Sequence, residues 1–185
     1  MRSLRNSTAL FVITASGAIL FAQTVPIPAQ RPLPLRNFKK VDDQVYRGAQ
    51  PTEPGFAALA KLGIHTVLDL RDEGGRSSRE GIIVRKLGMQ YVNIHLAGYV
   101  APTAEQISKT LALLEDPKRA PVFIHCRRGA DRTGTIIALY RIEHDHWTND
   151  QALKEAKEMR MASRERLMQA LIMKFKPVVP VTTTQ

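Results

Sequence analysis

The only cysteine of this 185-residue chain, Cys126, lies in a segment with the composition of an anion-binding loop. Residues 125–134 read His-Cys-Arg-Arg-Gly-Ala-Asp-Arg-Thr-Gly, after an apolar stretch typical of a strand and before one typical of a helix. A strand, a tight loop and a helix start direct several backbone N–H groups and the positive end of the helix dipole to one point. The pattern predicts a phosphate-sized site with Cys126 at its centre, where the positive field favours the nucleophilic thiolate.

Arg132 follows the cysteine after five intervening residues. Its planar guanidinium can bind two phosphate oxygens at once. A nucleophile and an anion-binding group therefore lie on one short loop. The alternative, that Cys126 is simply a buried core residue, explains neither Gly129 nor Arg132 at these spacings.

This segment resembles the active-site loop of the cysteine-dependent protein tyrosine and dual-specificity phosphatases, whose pattern is His-Cys, five residues, Arg, then Ser or Thr. Residues 46–51, Tyr-Arg-Gly-Ala-Gln-Pro, are similar to the opening of the small bacterial and atypical dual-specificity branch. The order of elements from about residue 45 to residue 159 is also similar to that branch. The resemblance implies an α/β fold with a mostly parallel central sheet and helices on both faces, and it implies no cofactor.

The resemblance also implies a role for each residue of the loop. Cys126 would attack phosphorus to form a phosphocysteine, Arg132 and the loop N–H groups would bind the phosphoryl oxygens, and Thr133 would donate its hydroxyl to the sulfur. His125 would brace the loop rather than transfer protons. The other loop residues expected to bind the substrate are Arg127, Arg128, Gly129, Ala130 and Gly134.

The sequence departs from the family pattern at the position of the general acid. The family normally supplies an aspartate from a loop upstream of the cysteine strand, but the corresponding residues 96–102 contain no acid here. Asp131, next to Arg132, is the favoured candidate, although it would also suit a role that pins the loop by accepting backbone hydrogen bonds. Asp72 and Glu73, which follow a predicted strand over residues 66–70, are the alternatives.

Two other functions fit part of this pattern. Rhodanese-type sulfurtransferases also place a cysteine between a strand and a helix, although five residues between Cys126 and Arg132 suit phosphate better. A phosphate-binding module without turnover would explain the missing upstream acid. Among phosphatases, the sequence leaves several substrates open: phosphotyrosine, phosphoserine and phosphothreonine proteins, inositol phosphates and phosphoinositides.

The formal net charge of +10 favours anionic partners. Arg127 and Arg128 place part of that charge in the loop and favour a substrate with more than one phosphate or with an acidic neighbour. Aromatic residues make up 6% of the chain and are not interleaved with basic ones, so no nucleic-acid partner is expected. The five histidines are dispersed, and no metal site is predicted. We expect a monomer that acts on a phosphorylated protein or a small anionic phosphoester.

Residues 1–22 have the pattern of a secretory signal peptide, because Arg2 and Arg5 precede an apolar run, residues 8–22, that ends in a small residue. The run is short for a membrane span, which needs about 20 residues, but an uncleaved segment would anchor the chain to a membrane. The sequence predicts a bacterial protein exported to the periplasm or cell envelope. A proline-rich tether is predicted over residues 23–40, the phosphatase domain over 41–176 and a loose tail over 177–185.

Helix and strand patterns alternate along the domain. Strands are predicted over residues 66–70, 91–95 and 122–125. Helices are predicted to begin after Thr52, at residue 77 or 78, and after Thr103, with a last helix over residues 163–175. Thr103 with Gln106 has the spacing of a capping box, as has Thr148 with Gln151. The glycines at positions 63 and 88 are placed to end helices.

Overall fold

The structure, a computed structural model, describes residues 35–177. The predicted signal peptide, the tether up to residue 34 and residues 178–185 of the predicted tail lie outside the described residues. Residues 35–40 were predicted to belong to the tether, but Leu35 and Phe38 pack against an apolar cluster. Asn37 donates a hydrogen bond to the Gly129 carbonyl oxygen at 2.8 Å. The domain therefore includes these residues and does not begin at residue 41.

A five-stranded sheet forms the centre of the domain, with the strand order β1-β2-β5-β3-β4. The strands are β1 (Lys39–Lys40), β2 (Val45–Ala49), β3 (Thr66–Asp69), β4 (Gln90–Asn93) and β5 (Val122–Cys126). Only the short edge strand β1 is antiparallel to its neighbour, and the other three pairs are parallel. The predicted mostly parallel sheet is confirmed.

Helices cover both faces of the sheet, as predicted. They are α1 (Glu53–Lys61), α2 (Gly75–Lys86), α3 (Ala104–Glu115), α4 (Asp131–Glu143), α5 (Asn149–Glu158) and α6 (Arg166–Lys174). Side chains alternate along β5, so that Phe123 joins the apolar cluster beneath α1 and α2, whereas Val122 and Ile124 join the larger cluster beneath the other helices. None of the helices in residues 35–177 combines the length and the hydropathy that a membrane span needs.

The local sequence patterns account for most element ends. Both predicted capping boxes, at Thr103 and at Thr148, are present. The glycines at 63 and 88 follow α1 and α2 with φ of +88° and +81°, a region that suits glycine. The start of α2 was placed wrongly at residue 77 or 78: the helix begins at Gly75, and the Ser77 side chain is buried and donates to the Asp72 carbonyl oxygen at 2.8 Å. The last helix begins three residues later than predicted.

The parallel arrangement places the carboxyl ends of β2, β3, β4 and β5 at one edge of the sheet. In open α/β sheets this edge is where ligands bind. The register pairs Ala49 with Cys126 and Asp69 with His125. The loops that follow these strands, including residues 127–130, therefore surround Cys126.

Candidate active site

A pocket of about 520 Å³ opens at this edge of the sheet. Cys126, at the end of β5, lies in its wall and is 2% exposed. Four residues separate the cysteine from α4, whose first turn leaves backbone N–H groups without helical partners. The side chains that line the rest of the pocket come from four loops and from the starts of α4 and α6: Asp72, Tyr99, Arg127, Arg128, Asp131, Arg132, Arg164, Glu165 and Met168.

Gly129 turns the loop against β2. Its φ is +65°, and a Cβ at this position would lie 2.2 Å from the carbonyl carbon and oxygen of Gly48. Gly48 is itself constrained, because a Cβ there would lie 2.8 Å from the Phe123 ring. Gly129 therefore allows the loop backbone to approach β2 more closely than any other residue type permits, and Gly48 leaves room for the Phe123 ring. Residues 46–51 and the loop at residues 125–134, which are far apart in sequence, thus pack directly against each other.

Two side chains hold the Gly129 carbonyl oxygen from the core side of the loop. Arg47 Nη2 and Asn37 Nδ2 each donate to it at 2.8 Å, and Asn37 also donates to the Met159 carbonyl oxygen at 3.0 Å. Sequence analysis assigned neither residue a role. Arg47 lies within the motif at residues 46–51, so the sequence contained a pattern that could have indicated its role. The contact of Asn37 with Gly129 joins residues 92 positions apart, and no local pattern predicts it.

Arg132 connects the loop to its neighbours. Its Nη1 atom donates to the carbonyl oxygens of Leu70 at 3.3 Å and Leu96 at 3.2 Å, and it lies 3.7 Å from Asp72 Oδ1. Among residues 35–177, the Nε and Nη2 atoms of Arg132 make no hydrogen bond. The guanidinium is thus oriented by backbone oxygens while two donors are available for the oxygens of a bound anion.

His125 is fully buried behind Cys126, on the face of the sheet that α2 covers. Its Nε2 atom lies 2.8 Å from Glu80 Oε1, an ion-pair distance without the alignment of a hydrogen bond. Arg71 joins this pair to β3, because its Nη2 atom lies 2.5 Å from Glu80 Oε2 and 2.6 Å from Asp69 Oδ2. A position inside a buried polar network suits the bracing role expected of His125.

Asp69 is the centre of that network. Its carboxylate accepts hydrogen bonds from the Arg71 side chain and from the Tyr91 hydroxyl at 2.8 Å. Burial alone would raise the pKa of Asp69, but the hydrogen bonds from Arg71 and the charge of His125 lower it to about 2. Asp69, Glu80 and His125 also present possible metal-ligating atoms within 4.8 Å of one another. Here the Arg71 guanidinium supplies the positive charge that the two carboxylates require.

The predicted substrate-binding residues divide into two groups. Arg127 and Arg128 line the pocket. Gly129, Ala130 and Gly134 are buried and shape the backbone, and Gly134 packs against Ala156 and Met161 from within α4. The Thr133 hydroxyl is buried and has no hydrogen-bond partner within residues 35–177, Cys126 included. It therefore has an uncommitted donor close to the loop.

The three candidate general acids lie in different surroundings. Asp131 Oδ1 accepts from the Ala162 N–H at 2.9 Å, and Oδ2 pairs with Arg128, so both oxygens are engaged. The Asp72 side chain is 76% exposed at the pocket and lies 2.9 Å from His95 Nε2. Glu73 lines a different depression, between α2 and β4. Sequence analysis did not anticipate Glu165, a buried carboxylate that lines the pocket.

Four arginines and three carboxylates line the pocket. Arg128 is paired with Asp131, whose hydrogen bond raises the pKa of the guanidinium. Arg127 has no ion-pair partner in the described part of the chain. Arg164, from the segment between α5 and α6, places its guanidinium carbon 5.9 Å from the centre of the Tyr99 ring. No local pattern marks Arg164, because only the fold brings it to the loop.

Comparisons with known proteins agree with this geometry. The family model described as DSP-PTPase phosphatase fused to NAD+ kinase matches residues 30–174. Dual specificity protein phosphatase TpbA of Pseudomonas aeruginosa is 29% identical over 130 residues, which are 70% of this chain and 57% of TpbA. Inositol diphosphatase SIW14 of Saccharomyces cerevisiae is 29% identical over 115 residues, which are 59% of this chain and 40% of SIW14. A rice protein named "Probable NAD kinase 2, chloroplastic" is 26% identical over 52% of this chain, and the match spans 10% of that protein.

Solved structures have the same fold. The core catalytic domain of SIW14 superposes with a TM-score of 0.67 at 23% identity, covering 77% of this chain and 87% of that domain. TpbA superposes with a TM-score of 0.65 at 24% identity, covering 76% of this chain and 87% of the TpbA chain. The family model covers most of the described domain, including every residue of the loop. The chain belongs to the DSP-PTPase phosphatase family.

Proposed function

We propose that this chain is a cysteine-dependent phosphatase that hydrolyses phosphate esters through a phosphocysteine on Cys126. The observation that carries the proposal is the meeting of Cys126, the start of α4 and the Arg132 side chain in one pocket. These three features supply a nucleophile, backbone donors and a planar cation to a single phosphoryl group.

In the first step, the Cys126 thiolate attacks phosphorus and the bond between phosphorus and the ester oxygen breaks. The loop N–H groups and the Nε and Nη2 donors of Arg132 stabilise the charge on the phosphoryl oxygens in the transition state. The departing oxygen takes a proton from a carboxylic acid. The step yields the alcohol and a phosphocysteine.

In the second step, a water molecule attacks the phosphocysteine and the sulfur leaves as a thiolate. The carboxylate that has given up its proton accepts one from the water, which restores the starting state. Thr133 supports the departure of sulfur in this proposal, because its buried hydroxyl has a free donor. The products are inorganic phosphate and free enzyme.

We assign the general acid to Asp72 rather than to Asp131, which the sequence favoured. Both oxygens of Asp131 are engaged, one by the Ala162 N–H and one by Arg128, so protonation would disrupt the loop. Asp72 is exposed at the pocket and can exchange protons with solvent, and its contacts with Arg132 and His95 both involve Oδ1, so Oδ2 has no partner among the described residues. His95 contacts its carboxylate and keeps it oriented.

The arginines around the pocket favour a substrate with more than one phosphate. Arg127 has no ion-pair partner among residues 35–177, and Arg164, which also lines the pocket, has only a 3.9 Å ion-pair contact with Glu165, so a second anionic group next to the scissile phosphate would be attracted to both. TpbA is named as a protein phosphatase and SIW14 as an inositol diphosphatase, so relatives of both substrate classes exist. Because the charge of Arg127 is available to a second phosphate, an inositol polyphosphate is the second candidate substrate, beside a phosphoprotein.

A substrate panel tests the proposal. Phosphate release is measured from p-nitrophenyl phosphate, a phosphotyrosine peptide, a phosphothreonine peptide, and inositol phosphates with and without a diphosphate group. Cys126→Ser is the control, and sulfur transfer from thiosulfate to cyanide is measured alongside. Phosphate release that Cys126→Ser abolishes is the expected result. Sulfur transfer alone would favour a rhodanese activity, and no turnover of any phosphate would favour a binding module.

A further inference from the structure

Arg47 is the most deeply buried arginine of the described domain, and it lies directly beneath the active-site loop. Its exposed fraction is 0%. The Nη2 atom donates to the Gly129 carbonyl oxygen at 2.8 Å, whereas Nε and Nη1 have no hydrogen-bond partner within residues 35–177. The guanidinium also borders the first turn of α4, because a Cβ on Gly134 would lie 3.7 Å from Nη2.

This arrangement is unfavourable for the fold alone. Buried charges are normally paired, and buried N–H groups without acceptors destabilise a protein. Burial lowers the pKa of Arg47 to about 10, while attraction to Glu155 and Cys126 opposes that effect and Arg141 adds to it. Arg47 therefore stays charged at neutral pH. An incompletely paired cation beneath a nucleophile indicates a functional reason for its presence.

Arg47 also fixes the direction of one peptide group in the loop. In a planar trans peptide, the carbonyl and the following N–H point in opposite directions. The Gly129 carbonyl points to Arg47 in the core, so the Ala130 N–H points away from the core. Rotation of this peptide would aim a carbonyl oxygen outward in place of a donor.

We propose that Arg47 is a positioning residue for Cys126: it holds the Gly129 peptide in its orientation and adds a buried positive charge that favours the Cys126 thiolate. The inference rests on the proposed function, since it concerns the same nucleophile. The proposal adds a residue outside the loop to the catalytic site, because Arg47 belongs to β2 and contacts the loop from the core side rather than from the pocket.

Alkylation of Cys126 by iodoacetamide tests the proposal without any turnover. Cys126 is the only cysteine, so the mass of the intact protein reports its reaction alone. The rate is measured from acid to alkaline pH for the parent, Arg47→Met, Arg47→Lys and Arg47→Gln. Arg141→Met is the matched control, because Arg141 is also buried and its charge also interacts with Glu155, whereas it makes no contact with residues 127–130 in the described part of the chain.

Arg47→Met should be alkylated at neutral pH about tenfold more slowly than the parent, with the reaction displaced to higher pH, since a nearby opposite charge stabilises a thiolate by this order. Arg47→Lys, which keeps the charge, should recover most of the rate, and Arg141→Met should lose melting temperature but not rate. A folded Arg47→Met with the parent's pH dependence would overturn the proposal.

If Arg47→Met does not fold, the other two variants decide. Faster alkylation of Arg47→Lys than of Arg47→Gln supports a role for the charge, and equal rates contradict it. The panel of phosphate substrates is independent of this result. A parent protein that releases no phosphate but shows the predicted alkylation differences would defeat the proposed function and leave the role of Arg47 intact.

Discussion

Arg132 and Asp72 lie next to each other in the pocket lining, with 3.7 Å between Arg132 Nη1 and Asp72 Oδ1. The same Nη1 atom donates to the carbonyl oxygens of Leu70 and Leu96, which lie beyond the ends of β3 and β4. One guanidinium thus joins the nucleophile loop to the two loops that flank it. In the described part of the chain, Asp72 is the only carboxylate within ion-pair distance of Arg132, so one exposed carboxyl group lies beside this guanidinium.

Asp72→Asn should slow hydrolysis of alkyl phosphates by a factor of about 10²–10⁴, the usual contribution of a general acid. Hydrolysis of p-nitrophenyl phosphate should change little, because nitrophenolate departs without a proton. Steady-state kinetics on the two substrates measures the difference.

Asp131→Asn and Glu165→Gln are the matched controls for that experiment. Asp131→Asn should slow both substrates equally and lower the melting temperature, because it weakens the contacts with Ala162 and Arg128. A leaving-group dependence in Asp131→Asn or Glu165→Gln, and none in Asp72→Asn, would move the general acid to that residue.

Arg132→Lys should lower kcat/KM by about 10² or more, since an ammonium cannot reproduce two parallel hydrogen bonds to phosphoryl oxygens. Arg119→Lys is the control: Arg119 lies before β5, at the opposite edge of the sheet, and bonds to Gln90. Equal activities of the two variants would show that Arg132 acts only as a point charge.

The parallel sheet and the loop could be predicted because their patterns are local. The strand, the five-residue spacing and the helix start are contiguous, and the capping boxes at Thr103 and Thr148 span four residues each. The resemblance implied the fold class, the alternation of helix and strand patterns agreed with it, and the family match confirmed the resemblance.

The supports of the loop could not be predicted, because they depend on contacts distant in sequence. Arg47 reaches Gly129 across 82 residues, and the amide of Ala162 reaches Asp131 across 31. The sequence alone showed that Asp131 is next to Arg132, but it did not show that the Ala162 N–H donates to the Asp131 carboxylate. For the same reason, the sequence offered Asp72 as an alternative but could not show that it lines the same pocket as Cys126.

Export is a further prediction and concerns residues outside the described domain. The mature chain should begin near Gln23 and be found in the periplasmic or cell-envelope fraction, since the charged start and the apolar run suit a secretory signal. N-terminal sequencing of protein from the native host measures this, with Phe11→Asp as a control that interrupts the apolar run. An intact Met1 in the cytosol would contradict export, and an intact Met1 in membranes would indicate an anchor.

The buried network should make the domain sensitive to acid. The pKa of Asp69 is lowered to about 2 in the folded state from 3.8, so ionised Asp69 stabilises the fold above the higher value. That contribution, about 2 kcal/mol in unfolding free energy, should disappear as the pH falls through this interval. Urea unfolding at decreasing pH measures it. Asp69→Asn should be less stable near neutrality and should lose less stability over the same interval, and a parent-like loss in that variant would assign the acid sensitivity to other groups.

Gly129→Ala separates two reasons for a glycine in the loop. Gly129 has φ of +65° and would place a Cβ 2.2 Å from Gly48 backbone atoms, whereas Gly63 has φ of +88° and no atom within 4 Å of its Cβ position. Gly63→Ala should therefore cost only the backbone strain of the left-handed region, about 1 kcal/mol. Gly129→Ala should cost at least about 2 kcal/mol more, because the clash displaces β2 from the loop. It should also remove most phosphatase activity, whereas Gly63→Ala should keep it. Denaturant unfolding and kinetics on both variants provide the comparison, and equal losses of stability would mean that the loop separates from β2 without penalty.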